Sequence, residues 1–238
     1  MARNGWLYAI LATLTLSAGL SLAQADTDVA AYMKALKSDD PGLRRQAALA
    51  LEKLGPQAKA AVPALRTALR DSDQFVRRFA ARALGAIGAD AAPAIPDLIA
   101  LLEAPQREEA EAAVQALARI GKPAVKPLAQ ALASTQDPVL IRAIARALGS
   151  IGPDAAAAVP ALIDRMKKPT KIPSKADGLA NRVNMLAAIV EALGNIGPPA
   201  KEAIPEIKAL LSDKILAKNK DFRIIANTAI KKISSKSP

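Results

Sequence analysis

The sequence contains no cysteine and no histidine among its 238 residues. Without cysteine the chain forms no disulfide and has no thiolate for catalysis. Without histidine it lacks the usual general base and the commonest ligand of transition metals, so an ordinary zinc site is not expected. Only carboxylate or lysine chemistry remains, and we predict no catalytic residue, no metal, no cofactor and no enzymatic activity.

Aromatic residues are also scarce, at 3% of the chain, although 51% of the residues are hydrophobic. The apolar residues are therefore mostly Ala, Leu, Ile and Val. Alanine is the best helix former, and small side chains let helices approach closely. This composition favours an all-α protein built from many thin helical layers over one built around a single thick core.

The net charge of +11 is unevenly distributed. From Lys167 to the end, 14 Lys or Arg stand against 6 Asp or Glu, a balance of +8, whereas residues 26–166 carry only +2. The excess positive charge thus belongs to the C-terminal third. It favours an acidic partner or an anionic surface, or it serves solubility.

The first 25 residues have the layout of a secretory signal peptide. Arg3 supplies a positive charge, Trp6 to Leu20 form an apolar run, and Ala23-Gln24-Ala25 is a small-x-small cleavage site. We predict cleavage after Ala25, with cleavage after Ala23 as the alternative. No cysteine follows the run, so a bacterial lipoprotein anchor is excluded, and a periplasmic or secreted protein without a membrane span is expected.

An uncleaved anchor is the other interpretation of this segment. Gly5 to Ala23 is close to the roughly 20 residues that a membrane-spanning helix needs. The run is weakened by four hydroxyl side chains, and cleavage is therefore the prediction that we retain. These hydroxyl residues are Thr13, Thr15, Ser17 and Ser21.

Two markers recur along the remaining chain with nearly the same rhythm. Glycines that directly follow Leu or Ile recur at spacings of 33, 33, 31 and 45 residues: Gly55, Gly88, Gly121, Gly152 and Gly197. Prolines recur at spacings of 33, 31, 33 and 45 residues: Pro63, Pro96, Pro127, Pro160 and Pro205. A glycine after an apolar helical face is typical of a helix end in the left-handed conformation, and proline suits a first helical turn. The markers therefore divide each repeat into an A helix around the proline and a B helix that ends at the glycine.

The B helices are predicted to be amphipathic and to stack. In the repeat from Gly55 to Gly88, one face contains Val76, Ala80, Ala83, Leu84 and Ile87. Asp40, Asp73 and Asp137 precede B helices and suit their N-caps. One pair cannot bury its apolar face alone, so we predict a single α-solenoid domain of about six helix pairs over residues 26–238. The first A helix is expected at about 27–37 and the last B helix at about 220–233, after four extra residues near 215–218.

The longest departure from the repeat is a lysine-rich insertion near residues 167–180. Pro169, Pro173 and Gly178 disfavour helix there. We predict a solvated basic loop, and a binding role for it is the alternative. Its four lysines are Lys167, Lys168, Lys171 and Lys175.

These motifs resemble those of HEAT-repeat proteins, especially the short repeats of the phycobilisome-lyase HEAT-like type. The matching residues are Pro63, Asp71, Val76, Arg77 and the A-L-G-x-I-G ending at Ala83 to Gly88. The resemblance covers about residues 27–234 and implies a right-handed α-α superhelix whose B helices line a concave face. It also implies a structural ladder of Asp and Arg between layers, which we assign to Asp71, Arg77, Asp213 and Arg223. The middle repeats depart from the pattern, since Glu109 and Ala110 stand where Val76 and Arg77 would.

The exposed side of the B helices is the best candidate for a binding surface. Positions ten and six residues before each closing position carry four arginines in the second and fourth repeats: Arg78, Arg82, Arg142 and Arg146. Arg45 precedes them in the first repeat, and Phe75 varies between repeats. Arginine forks bind carboxylates and phosphates well. The alternative is that these arginines only confer solubility.

We therefore predict a non-enzymatic scaffold of the cell envelope that binds an acidic protein partner. Binding of an anionic polymer or nucleic acid through the basic surface is one alternative, with no specific nucleic acid expected. A lyase-type enzyme subunit is another. Glu103, Glu108, Glu109 and Glu111 are interpreted as a solvated helix face rather than a cation site. Nothing in the sequence indicates the oligomeric state.

Overall fold

The computed structural model describes residues 22–168 and 176–235, with side chains from 28 to 168 and from 178 to 235. The predicted signal peptide lies mostly outside the described residues, as do Lys171 and Lys175 of the predicted basic loop. Cleavage and the loop's conformation therefore remain predictions.

Within the described residues the fold is all-α, and the helices form six A–B pairs as predicted. The A helices are α1 (Leu22–Ala35), α3 (Val62–Ala68), α5 (Ile95–Leu101), α7 (Lys122–Ser134), α9 (Val159–Lys167) and α11 (Ile204–Leu211). The B helices are α2 (Pro41–Leu54), α4 (Gln74–Ile87), α6 (Arg107–Ile120), α8 (Pro138–Ile151), α10 (Ala176–Ile196) and α12 (Lys220–Ser234).

The chain divides into two compact units, which are described separately below. Unit 1 ends at Ile120 and contains α1 to α6, and unit 2 begins at Gly121 and contains α7 to α12. In each unit the B helices contact one another along their lengths, and each A helix packs beside them.

Most A helices start with a 3₁₀ segment that passes into the α-helix just before the repeated proline. Pro63, for example, lies in the first turn of α3, where proline has the required φ and its missing N–H is not needed. Pro127 is different, because it lies inside α7, which has no separate 3₁₀ segment. The 3₁₀ segments that precede α3, α5, α9 and α11 are Gly55–Ala61, Gly88–Ala94, Gly152–Ala158 and Pro198–Ala203.

The repeated glycines end the B helices with a positive φ, as predicted, but not in the left-handed helical region. Gly88 has φ 77° and ψ −140°, and the other four closing glycines are similar. That combination of positive φ and strongly negative ψ is the mirror image of the β region, which only glycine occupies readily. The turn therefore demands glycine more strictly than an ordinary left-handed cap would.

The predicted N-caps are confirmed. Asp73 accepts hydrogen bonds from the backbone N–H groups of Phe75 and Val76, both at 3.0 Å. Asp40 caps α2 through Gly42 N–H at 2.7 Å, and Asp137 caps α8 in the same way. Each cap satisfies an N–H group that the first helical turn leaves free.

The apolar face of the B helices forms the core of each unit. The five residues predicted for α4 are all buried. A glycine inside the A-L-G motif lets neighbouring B helices approach: a Cβ added at Gly85 would lie 2.8 Å from the Cα of Ala116 on α6. In unit 2, Gly149 faces Ala192 and Gly194 faces Ala229 equally closely.

The predicted ladder is present in unit 1. Arg44 makes two hydrogen bonds to Asp71, at 2.7 and 2.8 Å. Arg77 makes two to Glu109 in the next repeat, at 2.8 and 2.7 Å. Because Glu109 is buried, our interpretation of it as part of a solvated face was wrong.

The ladder in unit 2 is only partly as predicted. Asp213 lies 3.8 Å from Arg182, which stands earlier on α10 than the family's arginine would. Arg223 is exposed and forms no ion pair with another described residue, so its assignment to the ladder was wrong. Asp213 also accepts hydrogen bonds from the N–H groups of Ile215 and Leu216, at the start of a 3₁₀ turn that spans Leu216–Lys218.

The ends of some helices differ from the predictions. α10 begins at Ala176 and is 21 residues long, so helix occupies part of the range predicted as a loop. α1 begins at Leu22 rather than near residue 27, whereas α12 agrees to within a residue.

Candidate functional site

Two phenylalanines and three arginines interleave on the exposed side of the B helices in unit 1. We call this set the Arg–Phe cluster: Arg45 from α2, and Phe75, Arg78, Phe79 and Arg82 from α4. The four α4 residues are spaced at three or four positions, which places them in one row along the helix. The sequence singled out all of them except Phe79, whose position one turn after Phe75 was the available signal.

Each ring of the cluster lies between guanidinium groups. The Cζ atoms of Arg45 and Arg78 are 4.7 and 5.1 Å from the centre of the Phe75 ring. Those of Arg78 and Arg82 are 5.1 and 5.9 Å from the Phe79 ring. These distances are within the range of cation–π interactions, which stabilise the arginines in their positions along the row.

Two arginines of the cluster are neutralised within the chain. Arg45 Nε donates to Asp73 at 2.9 Å, and its Nη2 donates to the other oxygen of the same carboxylate. This hydrogen bond outweighs burial and, with the capping N–H groups, lowers the pKa of Asp73 to about 2. Arg82 pairs with Glu52 at 2.7 Å. Neither charge is free for a partner without breaking an internal contact.

Arg78 is the exception in the cluster. It forms no hydrogen bond or ion pair with any described residue, and its Nε is buried without a partner. It borders a cavity of about 250 Å³, where Gln106 Oε1 is also buried and unpaired. The other residues that line this cavity are Gln74, Phe75, Glu108 and Glu109.

Arg142 and Arg146 of unit 2 lie one turn apart on α8. Arg142 is half-buried and Arg146 is exposed, and neither pairs with a residue in the part of the chain that the structure describes. Val139, one turn before Arg142, is 52% exposed. On α12 of the same unit Ile224 is 55% exposed. The B-helix side of unit 2 therefore combines free cations with exposed aliphatic side chains.

The two described lysines of the predicted basic loop are paired inside unit 2. Lys167 lies 3.0 Å from Glu206, and Lys168 lies 2.6 Å from Asp164. All four groups are at least one-third exposed, so the pairs are weak and open easily.

No group of three Asp or Glu side chains within the described residues is arranged to hold a metal ion. One stretch, Gln74–Leu101, is long and apolar enough to cross a membrane by length and composition alone. It is not one continuous helix, because Gly88 breaks it with a positive φ, and half of it is buried inside the protein. We therefore assign it to the solenoid core.

Two family models match the chain. The model described as HEAT repeats matches residues 29–108 and 95–176. The model described as PBS lyase HEAT-like repeat matches residues 186–213. A comparison with curated proteins finds no match.

Solved structures with the same fold include designed proteins. A protein engineered within the Northeast Structural Genomics Consortium has 24% sequence identity and a TM-score of 0.50, over 87% of this chain and 96% of that one. A designed armadillo repeat protein has 18% identity and a TM-score of 0.50, over 85% and 98%. The complex of CpcE and CpcF of phycocyanin lyase from Nostoc sp. PCC7120 has 24% identity and a TM-score of 0.47, over 93% and 91%. At their identities, the first two of these structures show a likeness of fold alone.

Proposed function

The chain belongs to the HEAT-repeat family, and we propose that it is a non-enzymatic scaffold whose two units each bind acidic protein segments on the exposed side of their B helices. The helix pairs supply a rigid support on which side chains are held at fixed spacing. Fold alone does not determine function, so the proposal rests on the surface residues.

The observation that carries the proposal is the distribution of unpaired arginines. Of the candidate cations that the structure describes, Arg45, Arg82, Lys167 and Lys168 are already paired with acids of this chain. The remaining three, Arg78, Arg142 and Arg146, have no such partner, and all three lie on B helices. Guanidinium groups form strong two-pronged hydrogen bonds with carboxylates, which makes an acidic segment the best match.

A direct binding measurement tests the proposal. A fluorescent peptide of alternating Gly and Asp is titrated with the chain, and a peptide of alternating Gly and Asn serves as its neutral counterpart. We expect saturable binding of the Asp peptide, and loss of the binding that belongs to unit 2 when Arg142 and Arg146 are changed to Glu. The matched control changes Lys201 and Lys208 to Glu, because these lysines are exposed on the A-helix side of the same unit.

Two outcomes would overturn the proposal. One is equal loss of binding in both double variants, which would indicate attraction by net charge. The other is that single-stranded DNA binds as tightly as the peptide and that both are released by about 150 mM salt, which would indicate a non-specific polyanion site.

We also propose that the scaffold acts in the periplasm or outside the cell. The support is the arrangement of residues 1–25, with a cleavage site at Ala23-Gln24-Ala25. Mass spectrometry of the protein purified from its native cells should show a chain that starts at Asp26 or Gln24. A chain that retains Trp6 would contradict cleavage, and recovery from the cytosol would contradict export.

A further inference from the structure

We propose that Arg78 binds a carboxylate side chain of the partner. That carboxylate would take the part that Asp73 takes for Arg45, one repeat earlier. This inference rests on the proposed function and adds a specific subsite to it. It differs from a general attraction between charges, because it names one guanidinium, one cavity and one functional group.

The first argument is a broken repetition. Arg45 pairs with Asp73, which is 28 residues later and stands directly before α4. At the same interval after Arg78 stands Gln106, directly before α6. The two pairs are therefore equivalent in consecutive repeats, but the second has an amide in place of the carboxylate.

The second argument is the unsatisfied hydrogen bonding at this point. Arg78 Nε and Gln106 Oε1 are both buried, and neither has a hydrogen-bond partner among the described residues. Burial of unpaired polar atoms costs free energy, and native structures rarely retain such atoms without a reason. A ligand oxygen that accepts from the guanidinium would remove the cost at Arg78.

The third argument is the local charge. Two of the three arginines of the Arg–Phe cluster form ion pairs within the chain, Arg45 with Asp73 and Arg82 with Glu52. The cluster therefore carries one uncompensated positive charge, that of Arg78. Both oxygens of Glu109 accept hydrogen bonds from Arg77, so Glu109 is neutralised. Glu108 also lines the cavity but is exposed, and the high dielectric constant of water weakens its repulsion of a carboxylate. The cavity thus favours an added carboxylate over an added cation.

The two phenyl rings define how the carboxylate is bound. The Cζ of Arg78 lies 5.1 Å from the centre of the Phe75 ring and 5.1 Å from the centre of the Phe79 ring. Ring contacts satisfy none of its N–H donors, so the edge of the group remains to be paired. Because Arg78 Nε is buried, a carboxylate must displace the side chains that cover this edge before it can form the two-pronged geometry that Arg45 forms with Asp73.

Substitution of Gln106 provides the test. In Gln106→Asp the chain itself supplies the missing carboxylate, which should pair with Arg78 and exclude the partner's acid. We expect the affinity of unit 1 for the Gly-Asp peptide to fall about tenfold or more, the effect of one lost charge-assisted contact. Gln57→Asp is the matched control: it makes the same change on an exposed 3₁₀ residue of unit 1 and should leave the affinity within about twofold.

A second readout follows Arg78 itself. The ¹⁵N resonance of its Nε should shift saturably when the unchanged chain is titrated with the Gly-Asp peptide. It should shift without any peptide in Gln106→Asp. Titration of the unchanged chain with the Gly-Asn peptide should not shift this resonance. An equal response to the two peptides would identify a carboxamide subsite and overturn the assignment.

The failure of this inference is distinguishable from failure of the proposed function. If Gln106→Asp binds the Gly-Asp peptide as tightly as the unchanged chain while Arg142→Glu with Arg146→Glu loses the binding of unit 2, the scaffold proposal stands and the Arg78 subsite is wrong. If the unchanged chain binds no peptide and its Arg78 resonance does not move, both are wrong.

Discussion

Arg77 of α4 and Glu109 of α6 form a two-pronged ion pair between consecutive repeats, with Glu109 only 2% exposed. Glu109 occupies the position that Val76 occupies one repeat earlier, and Ala104 stands where the ladder's Asp71 would. Glu109, at a buried position of α6, thus replaces the ladder aspartate that this repeat lacks. Arg77 also donates to the carbonyl groups of Asp71 and Ser72, so one guanidinium connects the turn before α4 with the next helix.

Removal of the Glu109 carboxylate alone should destabilise the protein strongly. In Glu109→Leu, Arg77 keeps its partly buried charge and its two backbone acceptors but loses its carboxylate partner, and we expect a loss of roughly 1.5–3 kcal/mol in the free energy of unfolding. In Arg77→Met combined with Glu109→Leu no charge remains unpaired, and most of the loss should be recovered. Denaturant titration measures both. For comparison, Arg82→Met breaks a more exposed pair and should cost no more than about 1 kcal/mol. A double variant as unstable as the single one would contradict the account.

The glycines of the A-L-G motif should be intolerant of a methyl group. Alanine normally stabilises a helix by about 1 kcal/mol relative to glycine. At Gly149, however, the added Cβ would lie 2.9 Å from the Cα of Ala192, a backbone atom that cannot rotate away. We therefore expect Gly149→Ala to destabilise unit 2 by about 1–3 kcal/mol. Ser150→Ala, the exposed neighbour on the same helix, should change stability by no more than about 0.5 kcal/mol. Thermal melting distinguishes the two, and a stabilised Gly149→Ala would show that α8 and α10 separate without cost.

The Asp73 carboxylate should make stability depend on pH in the acid range. Its folded pKa of about 2 lies below its usual value of 3.8, so the unfolded chain takes up the proton first. The stabilisation is complete above about pH 4 and is lost as the pH falls toward about 2. Asp73→Asn retains a side chain that caps α4 but removes the charge, and it should cost on the order of 1 kcal/mol at neutral pH. The gap between the two proteins should close as the pH falls, and a gap that stays constant from pH 7 to pH 2 would show that the charge contributes nothing.

Local rules of sequence predicted the features that depend on a single helix or turn. The closing glycines, the first-turn prolines and the aspartate caps each follow from the backbone geometry of one position, and the structure confirms them. Relationships between repeats were harder to predict. The spacing of Glu103, Glu108, Glu109 and Glu111 along the chain gives no sign that Arg77 of another helix covers one of them.

Arg78, which has no ion-pair partner among the described residues, illustrates the same limit. Counting along α4 predicted that Arg78 and Arg82 share a face, and they do. It did not predict that Arg82 is neutralised by Glu52 while Arg78 is not, because the partners come from other elements. The available signal was the 28-residue interval from Arg45 to Asp73, which leads from Arg78 to an uncharged Gln106.

Replacement of Arg165 in α9 by an aliphatic residue should stabilise the protein. It is only 2% exposed, and none of its three guanidinium nitrogens has a hydrogen-bond partner among the described residues. Burial lowers its pKa, which reflects the cost of an ion removed from water. The residues five positions after the repeated proline in the third and fourth repeats are Leu101 and Leu132, and both are buried.

Arg165→Leu should therefore raise the free energy of unfolding by about 1–4 kcal/mol, the range seen when buried ion pairs are replaced by well-packed apolar residues. Lys201→Leu removes the same charge from an exposed position of unit 2 and should stay within about 0.5 kcal/mol. Guanidinium chloride titration of the two variants and the unchanged chain measures the difference directly. A destabilised Arg165→Leu would contradict the prediction.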